Sequence, residues 1–524
     1  PSLLHPDTHR TMRYLPILLL SAWLLPAHAQ TTYGTEHWLT FMENLNLQFN
    51  GPPSFHVVIS SEVGTDGTVT IPATGFSIPF SVEAGTDEEV SLPTNIYYGS
   101  GDEALFNFGV RVNSDLPVRV YAYHERPYFS GATLVLPLSA LGTDHLVLAR
   151  TDDSSASPSE LVVMATQENT MVEITPSVLT VSFRPPNVPF NVTLNAGQSL
   201  QLQAFGDLSG TRVRALDESK PLAVFAGARQ ALVNCDQGGA DDHLYEQVYP
   251  LELWGRDYFV VPYKNRGGDE VRIMSGALPA QVTVGQTTYD LEAGEVLAVN
   301  VTTPLRILSN SPIAVGQFND SQSCNNGAYG DPNYIFLPAT PLRDERFLWN
   351  AREGFSTNEH YVNIVAQQNG GVTGMLLDGS DISTQFQPII GQSNWFYAQV
   401  SIPSGSHELV CDKPFQAVSY GMGFYDSYGL ALGFDAATAT GLNEPDRSYD
   451  RSITLIPRGA GWTPGWAMDG TELLHVIDMG GRMVRELELE SGGTVDLSGL
   501  EAGSYLVERW SATQRTGLVR VLIQ

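Results

Sequence analysis

The chain has 524 residues, enough for roughly three to five domains at about 100–150 residues each. Hydrophobic residues make up 42% of it, which is ample for buried cores. The net charge of −29 excludes a basic surface for nucleic acid, because binding a polyanion requires clustered Lys and Arg. A strongly acidic surface suits a secreted protein that stays soluble by self-repulsion, and it leaves carboxylates available for divalent cations.

The first 29 residues are predicted to be upstream residues followed by a signal peptide. Met12 and Arg13 begin a short basic region, residues 15–25 are apolar, and an A-x-A cleavage site covers residues 27–29. The apolar stretch is too short to span a bilayer, and no other stretch approaches the length of a transmembrane helix. The mature chain is therefore expected to start near Gln30.

A unit of about 100 residues occurs four times after this segment. Each copy has an extended run, a turn ending in Gly, further extended residues, a Pro corner and a hydrophobic strand. The turns end at Gly85, Gly197, Gly294 and Gly405. The corners end at Pro117, Pro221, Pro312 and Pro414. A repeat this long is the size of one β-sandwich module and too large for a solenoid coil.

The predicted fold class is all-β, with tandem antiparallel β-sandwich-like repeats followed by a small C-terminal β-sandwich. The alternation of apolar and polar residues is typical of strands, and sustained helical periodicity occurs only in the signal peptide. Residues 30–434 are assigned to the four repeats, at about 56–128, 160–230, 270–320 and 360–425, with linking segments between them. Residues 435–452 are assigned to a linker, and 453–524 to the terminal β-module.

The three cysteines suggest one disulfide and one free thiol in an exported chain. Cys235 and Cys324 both lie in the loop after a corner strand, in successive repeats, whereas Cys411 lies just before a corner. Cys235 and Cys324 are therefore the better pair. Three unpaired buried cysteines are the alternative.

Residues 33–434 resemble the IgGFc-binding domain of mucus-associated and secreted bacterial proteins. The most specific segment is Cys235 to Pro262, with its HLYEQ run at 243–247, Pro250, and the Trp254-Gly255 pair. The GTEHW run at 34–38 and the YGMGFYDSYG run at 420–429 also match. The resemblance implies a secreted protein that binds an extracellular partner, in an immunoglobulin Fc or mucus context. The Asp-rich spacer between Cys235 and His243 departs from the family pattern.

The last 70 or so residues are similar to the type IX secretion C-terminal sorting domain. The similarity lies in VIDMGGRMV, in VDLSGLEAGSYLV and in a terminal LVRVLIQ strand. Together with a signal peptide, this resemblance implies export across both membranes by the type IX machinery. It places the protein outside the cell or on the outer-membrane cell surface.

No catalytic or zinc-binding motif is found, so no enzyme activity is predicted, and no cofactor or metal is assigned. His243 and Glu246 could form a reactive pair, but they also suit a structural loop in which polar side chains bond the backbone. The Asp-rich loop 236–242 and the segment 319–331 could bind calcium through oxygen ligands. Neither has the EF-hand pattern, and a solvated loop is the favoured interpretation of each.

The loops after the corner strands occupy one topological position in every repeat, at 124–130, 228–243, 320–332 and 425–428. Equivalent loops tend to lie on one face, often the binding face, and Tyr is enriched at recognition surfaces. The alternative is that the aromatic residues fill the junctions between modules. The predicted binding residues are His124, Tyr128, Asp241, Asp242, His243, Glu246, Asp320, Tyr329, Tyr425 and Tyr428.

These observations predict a non-catalytic adhesion or binding protein that recognises an extracellular protein or glycoprotein through the loops of a β-repeat array. A structural spacer or matrix protein without a specific ligand is the first alternative. An exported hydrolase is the second.

Overall fold

The structure is a computed structural model, and it describes two groups of residues. The first group is 30–44, 51–94, 101–152, 157–235, 240–325, 328–340 and 344–436; the second is 453–456, 461–462, 472–478, 483–489, 494–497, 500, 503–511 and 514–523. The regular structure of these residues is β-strand apart from five single turns of 3-10 helix, which confirms the all-β prediction. The chain forms two compact units, Pro1–Ala439 and Thr440–Gln524.

The first unit contains four modules, which we number 1 to 4 along the chain. After β1 (Gln30–Thr31), module 1 comprises β2 (Gly34–Leu39), β3 (Ser54–Ser61), β4 (Thr65–Ile71), β5 (Phe76–Val82), β6 (Thr86–Ser91), β8 (Val110–Arg126) and β9 (Phe129–Val135). Strand β7 (Ala104–Phe106) lies between β6 and β8 in the chain but extends a sheet of module 2, where it pairs with β14 (Ser199–Ala204). Module 2 comprises β10 (Asp144–Leu146), β11 (Ser159–Ala165), β12 (Thr170–Thr175), β13 (Phe190–Leu194), β14 (Ser199–Ala204), β15 (Arg212–Ala215), β16 (Leu222–Ala231) and β17 (Asp242–Gln247).

Modules 3 and 4 follow directly. Module 3 comprises β18 (Gly255–Val260), β19 (Asp269–Ser275), β20 (Ala280–Val284), β21 (Thr287–Leu291), β22 (Val296–Val301), β23 (Leu305–Asn319) and β24 (Tyr334–Phe336). Module 4 comprises β25 (Arg346–Ala351), β26 (Thr357–Gln367), β27 (Leu376–Leu377), β28 (Ser380–Asp381), β29 (Gln387–Pro388), β30 (Trp395–Ile402), β31 (Gly405–Val410), β32 (Phe415–Gly423) and β33 (Asp426–Ala431), and β34 (Asp435–Ala436) ends the unit. The 3-10 turns are Pro72–Thr74, Leu138–Ala140, Leu251–Leu253, Gln322–Cys324 and Ser383–Gln385.

The four modules share one topology. Each has two antiparallel sheets, with strand orders β5-β4-β8-β2 and β6-β3-β8-β9 in module 1. In module 2 the corresponding orders are β13-β12-β15-β10 and β14-β11-β16-β17. In module 3 they are β21-β20-β23-β18 and β22-β19-β23-β24. In module 4 they are β28-β27-β31-β25 and β30-β26-β32-β33. The strand before each corner thus belongs to one sheet, and the strand after it belongs to the other.

The corner prolines lie where the chain changes sheets. In modules 1 and 3 the corner interrupts the pairing of a single long strand, β8 or β23, through a register shift next to Pro117 or Pro312. In modules 2 and 4 the corner separates two strands, and Pro221 or Pro414 directly precedes the second. Proline has no N–H to donate to a ladder, so it is tolerated where the ladder is broken. The predicted equivalence of the four prolines is confirmed.

Three of the four predicted turn glycines are equivalent. Gly85, Gly197 and Gly294 have φ values of 77°, 77° and 76°, in the left-handed region that favours Gly, and they lie just before β6, β14 and β22. The prediction for Gly405 is wrong, because Gly405 begins β31; the equivalent turn of module 4 contains Gly391, which has φ 76° and precedes β30. The segments taken from sequence to be links are not links, however. Each contains the last strand of one module and, after a short connection, the first strand of the next.

The last strands of the four modules form a closed cycle of contacts. Strand β9 packs against β17 and β33, and β24 packs against the same two strands. Every described residue of these four strands is buried. The modules therefore surround a common centre, and their order along the chain is also their order around it.

The cycle is closed where the two ends of the first unit meet. Strand β1 pairs with β34, and Thr32 N–H donates to the Phe434 carbonyl at 3.0 Å. Arg119 of β8 is fully buried here, donates to Thr32 Oγ1 at 2.9 Å, and forms an ion pair with Asp344 at 3.3 Å. Its guanidinium also lies 4.1 Å from the ring centre of Tyr33. Module 1 is thereby joined to module 4.

The hydrophobic cores extend across module boundaries. One cluster of buried side chains draws mainly on modules 1 and 2, and the other draws mainly on modules 3 and 4 but includes Tyr121 and Tyr123 of module 1. The Tyr121 hydroxyl donates to the Leu432 carbonyl at 2.7 Å, and the Tyr334 hydroxyl donates to the Leu148 carbonyl at 2.8 Å. Neighbouring modules thus complete each other's cores.

The second unit is a small β-structure of its own. Its strands are β35 (Ile453–Ile456), β36 (Gly461–Trp462), β37 (Glu472–Asp478), β38 (Met483–Leu489), β39 (Val495–Asp496), β40 (Gly503–Ser511) and β41 (Gln514–Ile523). They form a five-stranded sheet, β35-β41-β40-β37-β38, and a two-stranded sheet, β36-β39. No helix in the described part of the chain is long and apolar enough to cross a membrane. The predicted signal peptide lies outside the described residues.

Candidate functional site

Loops from three modules meet at one end of the central strands. Module 1 contributes the turn between β8 and β9, and module 4 contributes the turn between β32 and β33. Module 3 contributes the loop between β23 and β24. Gly330 N–H of the module 3 loop donates to the Gly423 carbonyl at 2.8 Å, and Gln322 Oε1 accepts from Tyr425 N–H at 3.0 Å. The loops are therefore hydrogen-bonded to one another.

These loops carry exposed aromatic side chains in mutual contact. Tyr128 and Phe355 are 40% and 60% exposed, and their ring centres are 5.3 Å apart, edge to face. Tyr329 and Phe424 are 47% and 50% exposed, with centres 6.2 Å apart. The half-buried Tyr425 lies 4.4 Å from Phe424. We call these five residues the aromatic surface.

The two parts of the aromatic surface are joined through Ser356. Its hydroxyl donates to the Phe424 carbonyl at 2.9 Å, while the preceding residue, Phe355, contacts Tyr128. Clustered exposed aromatic residues of this kind are enriched at recognition surfaces, because a rigid ring contributes a large contact area at a small entropic cost.

Tyr128 and Tyr425 have left-handed backbones, with φ values of 70° and 53°. Each is the second residue of a two-residue turn, a position where Gly or Asn is normally required. A bulky residue in this conformation costs about 1–3 kcal/mol, and such strain is concentrated at functional sites. A Tyr in this unfavourable conformation occurs in two modules, and in both its side chain lies at the surface.

Three buried carboxyl groups lie beneath this surface. Asp242, Asp331 and Asp426 lie at or just before the start of the last strand in modules 2, 3 and 4, and Phe129 occupies this position in module 1. All three are nearly or fully inaccessible to solvent. We call them the aspartate trio.

Burial raises the pKa of all three carboxyls. The pKa of Asp331 and of Asp426 is raised to about 7. That of Asp242 is raised well above its usual range, first by burial and then by the charges of Asp426 and Asp331. These carboxyls therefore affect one another electrostatically.

Five of the predicted binding residues are buried and cannot contact a partner in this conformation. They are His124, Asp242, His243, Glu246 and Tyr428. The reason is the closed cycle of modules: the end of each corner strand and the start of each last strand face neighbouring modules, where the sequence pattern indicated exposed loops.

The two buried histidines pack against each other. The ring centres of His124 and His243 are 4.9 Å apart, and burial lowers the pKa of His243 to about 4 and that of His124 well below its usual range. Burial raises the pKa of Glu246. Tyr428 has its hydroxyl 3.1 Å from His360 Nδ1. Structural roles, and not a surface reactive pair, fit these contacts.

The remaining predicted residues are at or near the surface. Tyr128, Tyr329 and Tyr425 belong to the aromatic surface. Asp241 and Asp320 are partly buried; Asp241 accepts from Gln230, and Asp320 accepts from Asn234 Nδ2 at 2.7 Å. Burial raises the pKa of Asp320 to about 6.

The predicted disulfide is present. Cys235 and Cys324 are bonded, with their Cα atoms 5.4 Å apart, and the bond links the loops of modules 2 and 3. Cys411 is a buried free thiol. In the described part of the chain, no group of three or more His, Cys, Asp or Glu side chains could hold a metal ion. Most of the Asp-rich loop, residues 236–239, lies outside the described residues.

Sequence reasoning missed Phe355 and Phe424 as members of this region. Asp331 and Asp426 lie within the predicted loops 320–332 and 425–428 but were not among the predicted binding residues. A signal for them was available, because Asp242, Asp331 and Asp426 all follow a corner proline and lie at or just before the start of the last strand of a module. It was obscured by unequal loop lengths, since the three aspartates follow their prolines by 21, 19 and 12 residues.

The fold thus defines an all-β protein with a closed cycle of four modules and an exposed aromatic surface formed by their loops. The sequence model of the IgGFc binding protein family matches residues 131–421, more than half of the chain, so the chain belongs to this family. The IgGFc-binding protein of Homo sapiens is 26% identical over 310 residues, which cover 57% of this chain and 6% of that protein. The chain therefore spans only a small part of that relative.

Two solved structures show weak likenesses. A tetra-tandem repeat from the extending region of a large adhesion protein is 10% identical, covers 77% of this chain and 93% of its own, and has a TM-score of 0.12. The BSP domain of a biofilm associated protein is 10% identical, covers 78% and 97%, and has a TM-score of 0.13. Scores this low support no conclusion about fold or function.

Proposed function

We propose that this chain is a secreted or cell-surface binding protein that recognises an extracellular protein or glycoprotein through the aromatic surface, without catalysis. One observation carries this proposal: Tyr128 and Tyr425 project from equivalent turns in two modules, each in a strained left-handed conformation. Strain that served only internal packing would be expected to bury the side chain, whereas Tyr128 is substantially exposed.

Membership of the IgGFc binding protein family supports a binding role. The name of the human relative makes immunoglobulin Fc one candidate partner. Glycoproteins are another, because aromatic rings flanked by hydrogen-bonding side chains suit both protein and sugar surfaces. Calcium remains a candidate ligand of the Asp-rich loop.

The test is a binding screen with the full chain against purified Fc fragment and a panel of mucin-type and other extracellular glycoproteins. For any partner bound saturably, a variant with Tyr128→Ser, Tyr329→Ser and Phe424→Ser should bind at least tenfold more weakly, because hot-spot aromatic residues each contribute about 2 kcal/mol or more. The matched control is Phe205→Ser with Ile390→Ser, since both residues are exposed, at 56% and 85%, have no left-handed backbone, and lie outside these loops.

Two results would contradict the proposal. Unchanged affinity of the triple variant for every bound partner would move the site elsewhere. Absence of saturable binding across the panel would favour the structural spacer.

We further propose that the second unit is a type IX sorting domain that is read by the secretion machinery. The proposal is supported by the resemblance of its sequence and by its β-sandwich-like pair of sheets. Deleting residues 446–524 should leave the first unit folded but abolish surface delivery in a host with type IX export. Equal surface amounts of full-length and truncated chains would exclude this assignment.

A further inference from the structure

The aspartate trio is hydrogen-bonded to the same segments that carry the aromatic surface. Asp242 Oδ1 accepts from the backbone N–H of Ser130 at 2.8 Å, and its Oδ2 accepts from the backbone N–H of Ser427 at 3.3 Å. Ser130 and Ser427 each lie two residues after a strained tyrosine, Tyr128 or Tyr425. Asp242 of module 2 therefore holds the turns of modules 1 and 4.

The other two carboxyls hold the remaining parts of the surface. Asp426 Oδ2 accepts from both N–H and Oγ–H of Ser356 at 3.3 Å, directly after Phe355. Asp331 Oδ1 accepts from Gln322 N–H at 3.0 Å, and the Gln322 side chain in turn accepts from Tyr425 N–H. In addition, the Ser427 hydroxyl donates to the Asp331 backbone carbonyl at 2.5 Å.

The surroundings contain little positive charge to compensate three ionised carboxyls. Asp331 faces one cation, Arg266, and one further acid, Asp241. Asp426 faces Glu125, which forms an ion pair with Arg352 at 2.5 Å. The charged groups that act most strongly on Asp242 are its two partners in the trio. The adjoining His243 is neutral because burial lowers its pKa to about 4, and it is acted on by the buried cation of Arg126.

We propose that the aspartate trio is a pH-sensitive latch, in which the protonated carboxyls hold the aromatic surface in its observed arrangement and ionisation loosens it. This inference rests on the proposed function, since it assigns a regulation to that surface. Like charges confined in a buried space repel one another and lose hydration, so ionisation favours opening of the loops toward water. The expected transition lies near neutral pH.

Hydrogen exchange of the full chain, measured by mass spectrometry at pH 5.5 and pH 8.0 and corrected for intrinsic rates, tests this latch directly. Peptides covering 127–135 and 424–431 should lose protection by about tenfold or more at pH 8.0, because one pH unit changes the ratio of two protonation states tenfold. The buried strand β11 should keep its protection and serves as the internal reference.

Asp→Asn substitutions distinguish the effect of the carboxyl charge from the effect of side-chain packing. Asp426→Asn and Asp331→Asn keep a neutral acceptor of the same shape, so both should retain protection at pH 8.0. Asp217→Asn is the matched control; Asp217 is exposed, and its hydrogen bonds to Ser219 lower its pKa, so the pH dependence should remain that of the unmodified chain.

Equal corrected protection of the two peptides at both pH values in the unmodified chain would overturn the latch. So would an unchanged pH dependence in both Asn variants. These outcomes are independent of any ligand. If the binding screen fails but hydrogen exchange still depends on pH as expected, the proposed function is contradicted and the latch is supported.

Discussion

Tyr128 and Tyr425 occupy the same place in modules 1 and 4: each is the second turn residue before the last strand, eleven residues after its corner proline. Both have positive φ, at 70° and 53°. The two positions lie 297 residues apart in the chain, yet the closed cycle of modules brings their turns to one surface. Repetition of one strained turn in two modules is therefore how the fold assembles the aromatic surface.

The backbone strain at Tyr128 predicts that substitution by Gly is more stable than substitution by Ala, the reverse of their usual order in a strand. At an ordinary strand position Gly is about 0.5–1 kcal/mol less favourable than Ala. At position 128, Tyr128→Gly should be more stable than Tyr128→Ala by about 1 kcal/mol, because Ala keeps the left-handed penalty and Gly does not. Urea unfolding of both variants measures the difference.

The control for this comparison is Tyr397, a partly buried strand residue without a left-handed backbone. Tyr397→Gly should be less stable than Tyr397→Ala. If Ala is the more stable substitution at both positions, the strain at Tyr128 contributes nothing measurable.

The disulfide should contribute substantially to the stability of the first unit. Cys235 and Cys324 are separated by 89 residues, and closing a loop of that length restricts the unfolded chain by about 4.6 kcal/mol. Cys235→Ser with Cys324→Ser should therefore lower the free energy of unfolding by about 2–5 kcal/mol. Chemical denaturation measures this cost, and a reductant should lower the stability of the unmodified chain by a similar amount.

Peptide mapping without reductant provides the check on pairing. Labelling of Cys411 alone after unfolding is the expected pattern. Labelling of all three thiols in the exported protein would contradict the bond.

The sequence was sufficient to predict the four corner prolines and three of the four turn glycines, because local chemistry determines these landmarks. Pro117 and Gly85, like their counterparts, are required by a broken ladder and a left-handed turn, and neither requirement depends on distant residues. The same loop reasoning correctly placed Tyr128 and Tyr329 at the surface.

The sequence could not predict which polar residues of the loops lie inside. Asp242 follows an Asp-rich segment that indicates solvent exposure, but it is covered by modules 1 and 4, whose contacting residues Ser130 and Ser427 are distant in sequence. His124 is buried for the same reason. Their burial depends on closure of the cycle of modules, and no local pattern encodes that closure.

Arg119 lies where the cycle of modules closes. This side chain is fully buried and joins Thr32 of the first segment to Asp344 near the start of module 4. Arg119→Met keeps much of the apolar stem but removes the hydrogen bond and the ion pair. It should cost about 3–5 kcal/mol, as expected when one partner of a buried ion pair is removed.

Arg111 provides the matched control on the same strand. It forms an ion pair with Glu36 at 2.9 Å but is 39% exposed, so Arg111→Met should cost at most about 1 kcal/mol. Thermal unfolding of both variants distinguishes the two sites. Equal and small costs would show that the buried contacts of Arg119 with Thr32 and Asp344 add no more to stability than an exposed ion pair.

The buried titratable groups predict opposite pH effects in two ranges. Asp269, Asp331 and Asp426 have pKa values raised by burial to about 8, 7 and 7. Because the folded chain holds these protons and the unfolded chain releases them at about pH 4, their contribution to stability is lost as the pH rises toward 7 and 8. Burial lowers the pKa of His37, His145 and His243 to about 3, 4 and 4. Their contribution is present above about pH 6.5 and is lost as the pH falls.

Between pH 6.5 and pH 8.0 the histidines are neutral in the folded chain, and in the unfolded chain they go from about half protonated to neutral, so they oppose the carboxyls mainly at the lower end of this range. The melting temperature should be lower at pH 8.0 than at pH 6.5, and Asp269→Asn should reduce this difference if the variant folds. Below pH 6.5 further protonation of the histidines in the unfolded chain opposes the carboxyls more strongly, so the gain should diminish or reverse. Calorimetry at pH 5.0, 6.5 and 8.0 measures the melting temperature in both ranges. A melting temperature that rises between pH 6.5 and pH 8.0 would contradict the prediction that the buried carboxyls dominate the trend in that range.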